Sequence, residues 1–189
     1  QEIQQKTQEL EKLNNKLHML SVTDDLTGLY NRRFFNNNID PFFQTCQRNR
    51  LIFNIVIFDL DFFKQINDKF GHPNGDKCIK EISYILKKNF TRSNEFIARY
   101  GGEEFIVLNM GDSSESFFNH VENIRREIKN RAFCLNGQTV CVSVSAGLVS
   151  KIPGLNDSAQ EFLSYADNVL YEAKENGRDR TLLLKTDRV

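Results

Sequence analysis

The sequence predicts an α/β fold of the α+β class, a ferredoxin-like palm whose mainly antiparallel central sheet carries helices on one face. Apolar runs of strand length alternate with segments of helical spacing in the order βαββαβ, which is the pattern of that sheet. The dipeptide Asn136-Gly137 indicates an extra hairpin, because it favours a two-residue turn. A leucine repeat at residues 3–20 adds a helical stalk that resembles a coiled coil.

The stalk is predicted from apolar residues at alternating spacings of three and four: Ile3, Leu10, Leu13, Leu17 and Leu20. Lys6 takes the remaining inward position of this seam. The repeat is shorter than the roughly 3 to 4 heptads that identify a coiled coil, so a dimer stalk and a helix packed on its own domain both remain open. The turn-rich stretch SVTDDLTGLYN follows. We therefore expect residues 1–21 to form a signalling or dimerisation helix and residues 22–189 to form the globular domain.

The first half of the domain contains three strands. A helix begins near Asn31, and residues 51–58 (LIFNIVIF) form a strand covered on both faces, because the run is almost continuously apolar. Residues 76–90 have helical spacing, with Asp76 as an N-cap. EFIARY and EFIVLNM are two further strands, joined by a turn to which Gly101 and Gly102 are expected to contribute positive φ angles.

The second half completes the pattern. Residues 112–130 form a helix that starts with capping side chains at 112–114. AFCL, the Asn136-Gly137 turn and QTVCVSVSAGLVS predict the extra hairpin. A helix over residues 157–176 ends at Gly177, and TLLLK forms a short last strand. The βαββαβ sheet is also the palm of many nucleotide-polymerising enzymes, although a fold alone does not define a function.

Composition excludes several classes of protein. The 189 residues are 40% hydrophobic and include 16 Phe, enough to bury the core of one domain with an appendage. The 25 basic and 25 acidic residues cancel, so the chain lacks the charge of a nucleic-acid or lipid-surface binder, and neither partner is expected. No apolar stretch approaches the roughly 20 residues of a membrane span, and no signal-peptide pattern opens the chain. The chain begins without Met, so we expect it to be a piece of a longer protein.

Four cysteines have no CxxC spacing: Cys46, Cys78, Cys134 and Cys141. Most of them lie in apolar runs, and we expect buried free thiols. This usage is typical of a reducing compartment, and it favours the cytosol.

Acidic side chains stand at two strand ends. Asp59 and Asp61 follow the first strand, and Glu103 with Glu104 follows the glycine turn. Taken singly, each has a plain structural explanation as a helix cap or a soluble sheet edge. The predicted strand order makes these ends neighbours, and gathered carboxylates favour a cation of the Mg²⁺ or Mn²⁺ type. Four basic residues, each also typical of an ordinary surface, are available for phosphate groups: Lys64, Arg99, Lys174 and Arg178.

Six segments in order carry a known family pattern: DDLTGLYNRR, FDLDFFKQIND, FGHPNGD, RYGGEEF, SAG and YADNVLYEAKENGRDR. With them, about residues 22–185 resemble the GGDEF-domain diguanylate cyclases, bacterial signalling enzymes that condense two GTP into cyclic di-GMP. The central motif is the GGEEF variant, which active members of that family use. The resemblance implies that residues 22–189 are a catalytic domain.

The resemblance also implies roles for individual residues. Asp59, the Leu60 carbonyl and Glu103 would bind two Mg²⁺ or Mn²⁺ ions per active site, and Glu103 and Glu104 would be catalytic. Asn67 and Asp76 would bind guanine. The phosphate end would be lined by Phe62, Phe63, Lys64, Lys174 and Arg178. Three residues would support the site: Arg99, Gly101 and Gly102.

The implied partners follow from the reaction. One domain binds one GTP, so two protomers have to face each other as a homodimer. The N-terminal helix would then dimerise and relay a signal from an upstream sensor domain, and a membrane anchor in the parent protein remains open. Many family members bind their product at an inhibitory RxxD; here Arg92 and Glu95 form an RxxE, which predicts weak or absent product inhibition.

Two other functions are alternatives for a chain of this kind. A GGDEF-like module can keep the fold without turnover and serve as a nucleotide receptor or dimerisation partner, but degenerate modules usually lose one of the residues that are intact here: Asp59, Asn67, Asp76, Glu103 and Glu104. A different nucleotide cyclase or polymerase conflicts with the guanine-matching pair, because a site built around such bonds rejects other bases.

Overall fold

The computed structural model describes residue 6 and residues 22–184. The predicted stalk helix, its heptad seam and the domain boundary near residue 21 lie outside the described residues. The elements within residues 22–184 are, in chain order, β1 (Tyr30–Asn31), α1 (Arg32–Asn49), β2 (Phe53–Leu60), α2 (Phe63–Phe70), α3 (His72–Asn89), β3 (Glu95–Arg99), β4 (Glu104–Met110), α4 (Ser114–Asn130), β5 (Ala132–Leu135), β6 (Gln138–Cys141), β7 (Val144–Lys151), α5 (Ala159–Glu175) and β8 (Thr181–Leu183).

The main sheet has six strands in the order β1-β3-β4-β2-β7-β8. The four central strands are antiparallel to their neighbours, whereas β1 and β8 add in parallel at the two edges. The segment from β2 to β7 therefore has the predicted βαββαβ order, and the ferredoxin-like prediction is confirmed. Strands β5 and β6 form the separate hairpin, with Asn136 and Gly137 at φ 51° and 77°, as a two-residue turn of this kind requires.

Helices cover both faces of the sheet, so the prediction of helices on one face is wrong. Every residue of β2 is buried. Val56 and Phe58 pack against α3 and α4, and Ile55 and Ile57 pack against α1 and α5. A strand that is apolar on both sides has to be covered on both sides. The βαββαβ unit supplies helices for one face, and the two helices outside that unit cover the other.

Helix α3 begins earlier than predicted. Its first residue is His72, and Gly71 precedes it at φ 82°, so Asp76 lies inside the helix and does not cap it. Pro73 fits the first turn because a proline needs no hydrogen bond there. The short helix α2 just before it was not predicted. The long last arm of the predicted hairpin is divided, because β6 ends at Cys141 and the chain then joins the main sheet as β7.

Two of the four cysteines are buried as expected, and two are not. Cys46 and Cys78 are fully buried, and burial raises the pKa of each thiol to about 11. Cys134 and Cys141 are exposed on the β5–β6 hairpin, so the expectation is wrong for this pair. For Cys134 the reason is the alternation of β5, which buries Phe133 and turns its neighbour outward. Cys141 is the last residue of β6, a strand without a buried residue.

Helix α5 begins and ends as the sequence indicates. Ser158 caps it and forms a reciprocal capping box with Glu161, and Gly177 follows the helix at φ 105°. Lys174 lies in the last turn of α5, and its side chain reaches Asp59 on β2. No helix in the described part of the chain is both long and apolar enough to cross a membrane.

Candidate active site

The strand register brings the two acidic motifs together. Asp59 is paired with Glu104 across β2 and β4, at the end of both strands. The next residue, Leu60, donates its backbone N–H to the Glu103 carbonyl at 3.3 Å. The adjacency that follows from the predicted strand order is therefore present, with Asp59 directly beside the turn that carries the glutamates.

Asp59 is a buried carboxylate that lies near two other negative charges. Its residue is 6% exposed, and its Oδ2 accepts a hydrogen bond from the Lys174 ammonium at 2.8 Å. Burial raises the pKa of Asp59 to about 6; repulsion from Glu103 and Glu104 adds to this rise, and Lys174 opposes it. Burial also raises the pKa of Glu104. This is a group of negative charges that a cation stabilises.

The donor set fits Mg²⁺ or Mn²⁺. Its members are oxygen donors: the carboxylates of Asp59 and Glu103 and the backbone carbonyl of Leu60, as hard cations prefer. Within the described residues, no three side chains of His, Cys, Asp or Glu are close enough to hold a metal by themselves. Mg²⁺ commonly uses one or two carboxylates and completes its coordination with substrate phosphates and water. The observed carboxylate pair suits that kind of site.

Arg99 supports the turn before the glutamates. Its Nη1 contacts both carboxylate oxygens of Asp24 at 3.0 and 3.1 Å, and its Nη2 donates to the Gly102 carbonyl at 2.7 Å. Burial opposes the ionisation of Asp24, but hydrogen bonds from Thr27 and Arg99 outweigh it and lower the pKa. Asp24 was not singled out from the sequence, although it lies in the DDLTGLYN motif. Its signal was an acidic residue in a turn, which is too common to indicate a long-range partner.

The two glycines of the motif do not act as predicted. Neither Gly101 nor Gly102 has a φ angle in the left-handed region, so the positive-φ interpretation is wrong. The backbone N–H groups of Tyr100 and Gly101 close the turn by donating to the Glu104 carbonyl. A Cβ at Gly101 would lie 2.5 Å from Glu104 Oε2, whereas one at Gly102 would have no atom within 4 Å. Gly101 makes room for the Glu104 carboxylate, and Gly102 leaves open space.

The residues predicted to bind phosphate come from the start of α2, from α5 and from the loop after α5, and among them Lys174 contacts the acidic group. Phe62, immediately before α2, has a left-handed φ of 57° and is 52% exposed. The Arg178 guanidinium stacks on its ring, 4.6 Å from the centroid. Lys174 comes from α5 to Asp59. Lys64 is exposed in the first turn of α2, and Phe63 packs partly into the core.

The loop that carries Arg178 is held by a buried acid. Asp61 accepts hydrogen bonds from the hydroxyls of Ser143 and Ser145 at 2.7 and 2.6 Å, and from the backbone N–H of Asp179 at 3.1 Å. The Asp179 carboxylate in turn pairs with Arg125 of α4. Asp61 thus has partners different from those of Asp59, and it fixes the loop. The sequence did not single out Asp179 or Arg125, because their contact joins residues 54 positions apart.

The predicted guanine pair lies at the corner between α2 and α3. Asn67 packs so closely on Gly75 that a Cβ there would be 1.9 Å from the Asn67 Oδ1. This Oδ1 is buried and has no hydrogen-bond partner, and Asp76 is exposed. A buried polar atom without a partner costs about 1 to 3 kcal/mol, so this oxygen is a destabilising feature of the corner.

The predicted inhibitory pair is engaged within the chain. Arg92 Nη1 lies 2.9 Å from Asp112 Oδ2. The Glu95 carboxylate accepts from the backbone N–H of Arg92 at 2.8 Å. Both groups therefore already have a partner within the chain.

Known proteins with similar sequences share one family. The family described as diguanylate cyclase, GGDEF domain, matches residues 21–180. Diguanylate cyclase A of Treponema denticola is 34% identical over 177 residues, which cover 92% of this chain and 47% of that protein. The response regulator PleD of Caulobacter vibrioides is 35% identical over 170 residues, which cover 88% of this chain and 37% of PleD. The chain thus spans less than half the length of these relatives.

A solved structure gives the same result for the fold. The coiled coil and GGDEF domain of DgcB from Caulobacter crescentus, in complex with c-di-GMP, superimposes with a TM-score of 0.85 at 26% identity, over 96% of this chain and 97% of that one. The sequence match covers most of the chain, the overall fold agrees, and the two acidic motifs meet at one edge of the sheet. The chain therefore belongs to the diguanylate cyclase GGDEF-domain family.

Proposed function

We propose that the chain condenses two molecules of GTP into cyclic di-GMP and releases two pyrophosphates, as one half of a homodimer. The observation that carries the proposal is the pairing of Asp59 with Glu104, with Glu103 adjacent, at one buried edge of the sheet. Relatives named diguanylate cyclases support it, among them that of Treponema denticola. We further propose a cytoplasmic location, where GTP is available.

The proposed metal ligands are Asp59, Glu103 and the Leu60 carbonyl, and two Mg²⁺ or Mn²⁺ ions are proposed per site. When bound, such ions neutralise phosphate charge and make a hydroxyl more acidic. The carboxylates of Asp59 and Glu103 have the charge and the oxygen donors that these ions require.

The chain's own side chains orient the phosphates and move a proton. The 3′-hydroxyl oxygen of one GTP forms a bond with the α-phosphorus of the other, and the bond to the β-phosphate oxygen breaks to release pyrophosphate. Glu103 or Glu104 accepts the hydroxyl proton; the raised pKa of Glu104 brings it closer to working pH, as a general base requires. Lys174 and Arg178 supply positive charge for the triphosphate, and Phe62 holds the Arg178 guanidinium in place.

Guanine selection is proposed for Asn67 and Asp76. The Asp76 carboxylate offers two acceptors to the N1–H and N2–H donors of guanine, whereas adenine presents a lone pair at N1. A base that leaves these polar groups unpaired is rejected. Asn67 lies beside Asp76 in this proposal, because it packs on Gly75, the residue that directly precedes Asp76.

The homodimer follows from the stoichiometry. Each protomer binds one GTP, and each 3′-hydroxyl has to reach the α-phosphorus held by the other, so the two sites face each other across a two-fold axis. We propose that the upstream helix sets this relative position in response to a sensor domain of the parent protein.

The proposal is tested by incubating the purified chain with GTP and Mg²⁺. We expect release of pyrophosphate and a cyclic dinucleotide, and we expect Glu104→Ala to abolish both. Glu115→Ala is the matched control, because Glu115 is exposed at the start of α4 and should leave turnover unchanged. Binding of GTP without turnover by a verified dimer would replace the enzyme by the receptor function.

Product inhibition through Arg92 is expected to be weak or absent. The pairing of Arg92 with Asp112 at 2.9 Å supports this expectation, because a bound product would compete with Asp112 for the guanidinium. The measurement is a titration of the active enzyme with cyclic di-GMP, comparing the chain with its Arg92→Ala variant. Strong inhibition below 1 µM (roughly the affinity scale of specific recognition) that Arg92→Ala relieves would contradict it.

A further inference from the structure

We propose that Asn136, at the tip of the β5–β6 hairpin, is a positioning residue for guanine recognition. Its side-chain amide holds the corner between α2 and α3 and thereby sets the spacing between Asn67 and Asp76. This inference rests on the proposed function, and it extends it to a residue that lies in none of the six family segments.

Two amides converge on the last carbonyl of α2. Asn136 Oδ1 accepts from Asn74 Nδ2 at 2.8 Å, and Asn136 Nδ2 faces the Phe70 carbonyl at 3.5 Å. Asn74 Nδ2 also donates to the same Phe70 carbonyl at 2.8 Å. Lys77 donates to the Asn74 Oδ1 at 3.1 Å and completes the set. The hairpin tip, the end of α2 and the start of α3 are therefore joined at one point.

That point is next to the guanine residues. Asn74 is 6% exposed and is followed directly by Gly75 and Asp76. A Cβ at Gly75 would lie 1.9 Å from Asn67 Oδ1, so the start of α3 approaches α2 as closely as the backbone allows. In such a packed corner, a change in the position of Asn74 changes the separation of Asn67 and Asp76. The Asn136–Asn74 bond is long range, and it holds this separation from outside the corner.

The hairpin is a rigid support for the amide. Asn136 and Gly137 have φ angles of 51° and 77°, as a tight turn of the I′ type requires. Phe133 and Leu135, on the strand before the turn, are buried in the core shared with α3 and α4. The backbone at Asn136 is thus held by both the turn and the core, and the exposed side chain is held by its hydrogen bond with Asn74.

The turn also provides a clean test. Asn136→Gly keeps the positive φ, because glycine adopts it at least as readily as asparagine, and it removes only the amide. Asn136→Asp keeps the turn preference and the acceptor for Asn74. Asn156→Gly, at an exposed position before α5, is the matched control for the substitution itself.

The experiment compares GTP with inosine triphosphate, which lacks the 2-amino group, by kinetics with Mg²⁺ and by calorimetric binding. We expect Asn136→Gly to raise KM for GTP about 3- to 10-fold, the effect of one lost neutral hydrogen bond, with kcat changed much less. The preference for GTP over inosine triphosphate should fall in parallel. Asn136→Asp should stay within about twofold of the unaltered chain, since the 2.8 Å bond is kept.

Unchanged KM and unchanged base preference in Asn136→Gly would overturn the inference. An equal fall of kcat in Asn136→Gly and Asn136→Asp, together with a lower melting temperature, would also overturn it, because that is the result of a purely structural role. Failure of the proposed function is distinguishable. In that case the unaltered chain itself does not turn over GTP, whereas failure of this inference alone leaves the unaltered chain active and selective and Asn136→Gly equally selective.

Discussion

Asp59→Asn is expected to lose about 10³-fold in GTP turnover, on the order of the loss caused by removing one preorganised electrostatic group. The substitution keeps the shape of the side chain and removes the negative charge. Asparagine offers a weaker oxygen donor to Mg²⁺ and leaves Glu103 as the remaining carboxylate of the proposed ligand set. The measurement is pyrophosphate release at saturating GTP and Mg²⁺.

The same substitution is expected to stabilise the metal-free protein. Burial and the repulsion from Glu103 and Glu104 raise the pKa of Asp59 from 3.8 to about 6, so the folded protein favours the protonated form. The contribution of Asp59 to the free energy of unfolding is fully present below the unfolded-chain pKa of 3.8. This contribution is lost as the pH rises through the folded-state pKa of about 6. A neutral amide does not suffer this loss, and the gain for Asp59→Asn is on the order of 1 to 3 kcal/mol at pH 7.5.

Thermal unfolding with EDTA at pH 5 and pH 7.5 tests whether Asp59→Asn stabilises the metal-free protein. The melting temperature of Asp59→Asn should exceed that of the unaltered chain, by more at pH 7.5 than at pH 5. Asp61→Asn is the control and should lower the melting temperature, because the Asp61 carboxylate accepts three hydrogen bonds and an amide cannot accept them all. Equal destabilisation by both substitutions would mean that Asp59 is an ordinary structural acid.

Gly147→Ala is expected to destabilise the fold by about 3 kcal/mol or more, at the upper end of overpacking effects. A Cβ at Gly147 in β7 would lie 2.3 Å from the Ala166 carbonyl oxygen and from the Leu170 nitrogen. These are backbone atoms of α5, and they cannot move without moving the helix. Since α5 carries Lys174 to Asp59, the substitution should also impair turnover in the protein that remains folded.

Urea unfolding provides the measurement for Gly147→Ala. Gly102→Ala is the control, because a Cβ there meets no atom within 4 Å, and it should change the unfolding free energy by less than about 0.5 kcal/mol. If Gly147→Ala unfolds at the same urea concentration as the unaltered chain, the close packing of α5 on the sheet is wrong.

The sequence predicted the parts of the site that follow from strand order. The βαββαβ pattern makes β2 a neighbour of β4, and that adjacency alone brings Asp59 to Glu104. It did not predict the start of α3, because Gly71 and Pro73 are typical of a turn as well as of a helix start. The φ angles of Gly101 and Gly102 were also wrong, since glycine fits either a special backbone angle or a nearby side chain.

The sequence did not predict the contacts between distant segments. Asp24 meets Arg99 across 75 positions, and Asn74 meets Asn136 across 62. Local patterns such as caps, turns and periodicity describe neighbours within a few residues, so they cannot identify such partners. The second covered face of the sheet had a signal in the apolar run of β2, but nothing local assigned α1 and α5 to it.

The most direct test of the proposed metal and nucleotide site is a crystal structure of the chain with Mn²⁺ and a nonhydrolysable GTP analogue. Anomalous scattering should locate Mn²⁺ at about 2.1 Å from the carboxylates of Asp59 and Glu103 and from the Leu60 carbonyl, with the analogue's phosphates completing the coordination. A bound analogue with no Mn²⁺ beside Asp59, and with Asp59 still paired to Lys174, would contradict it.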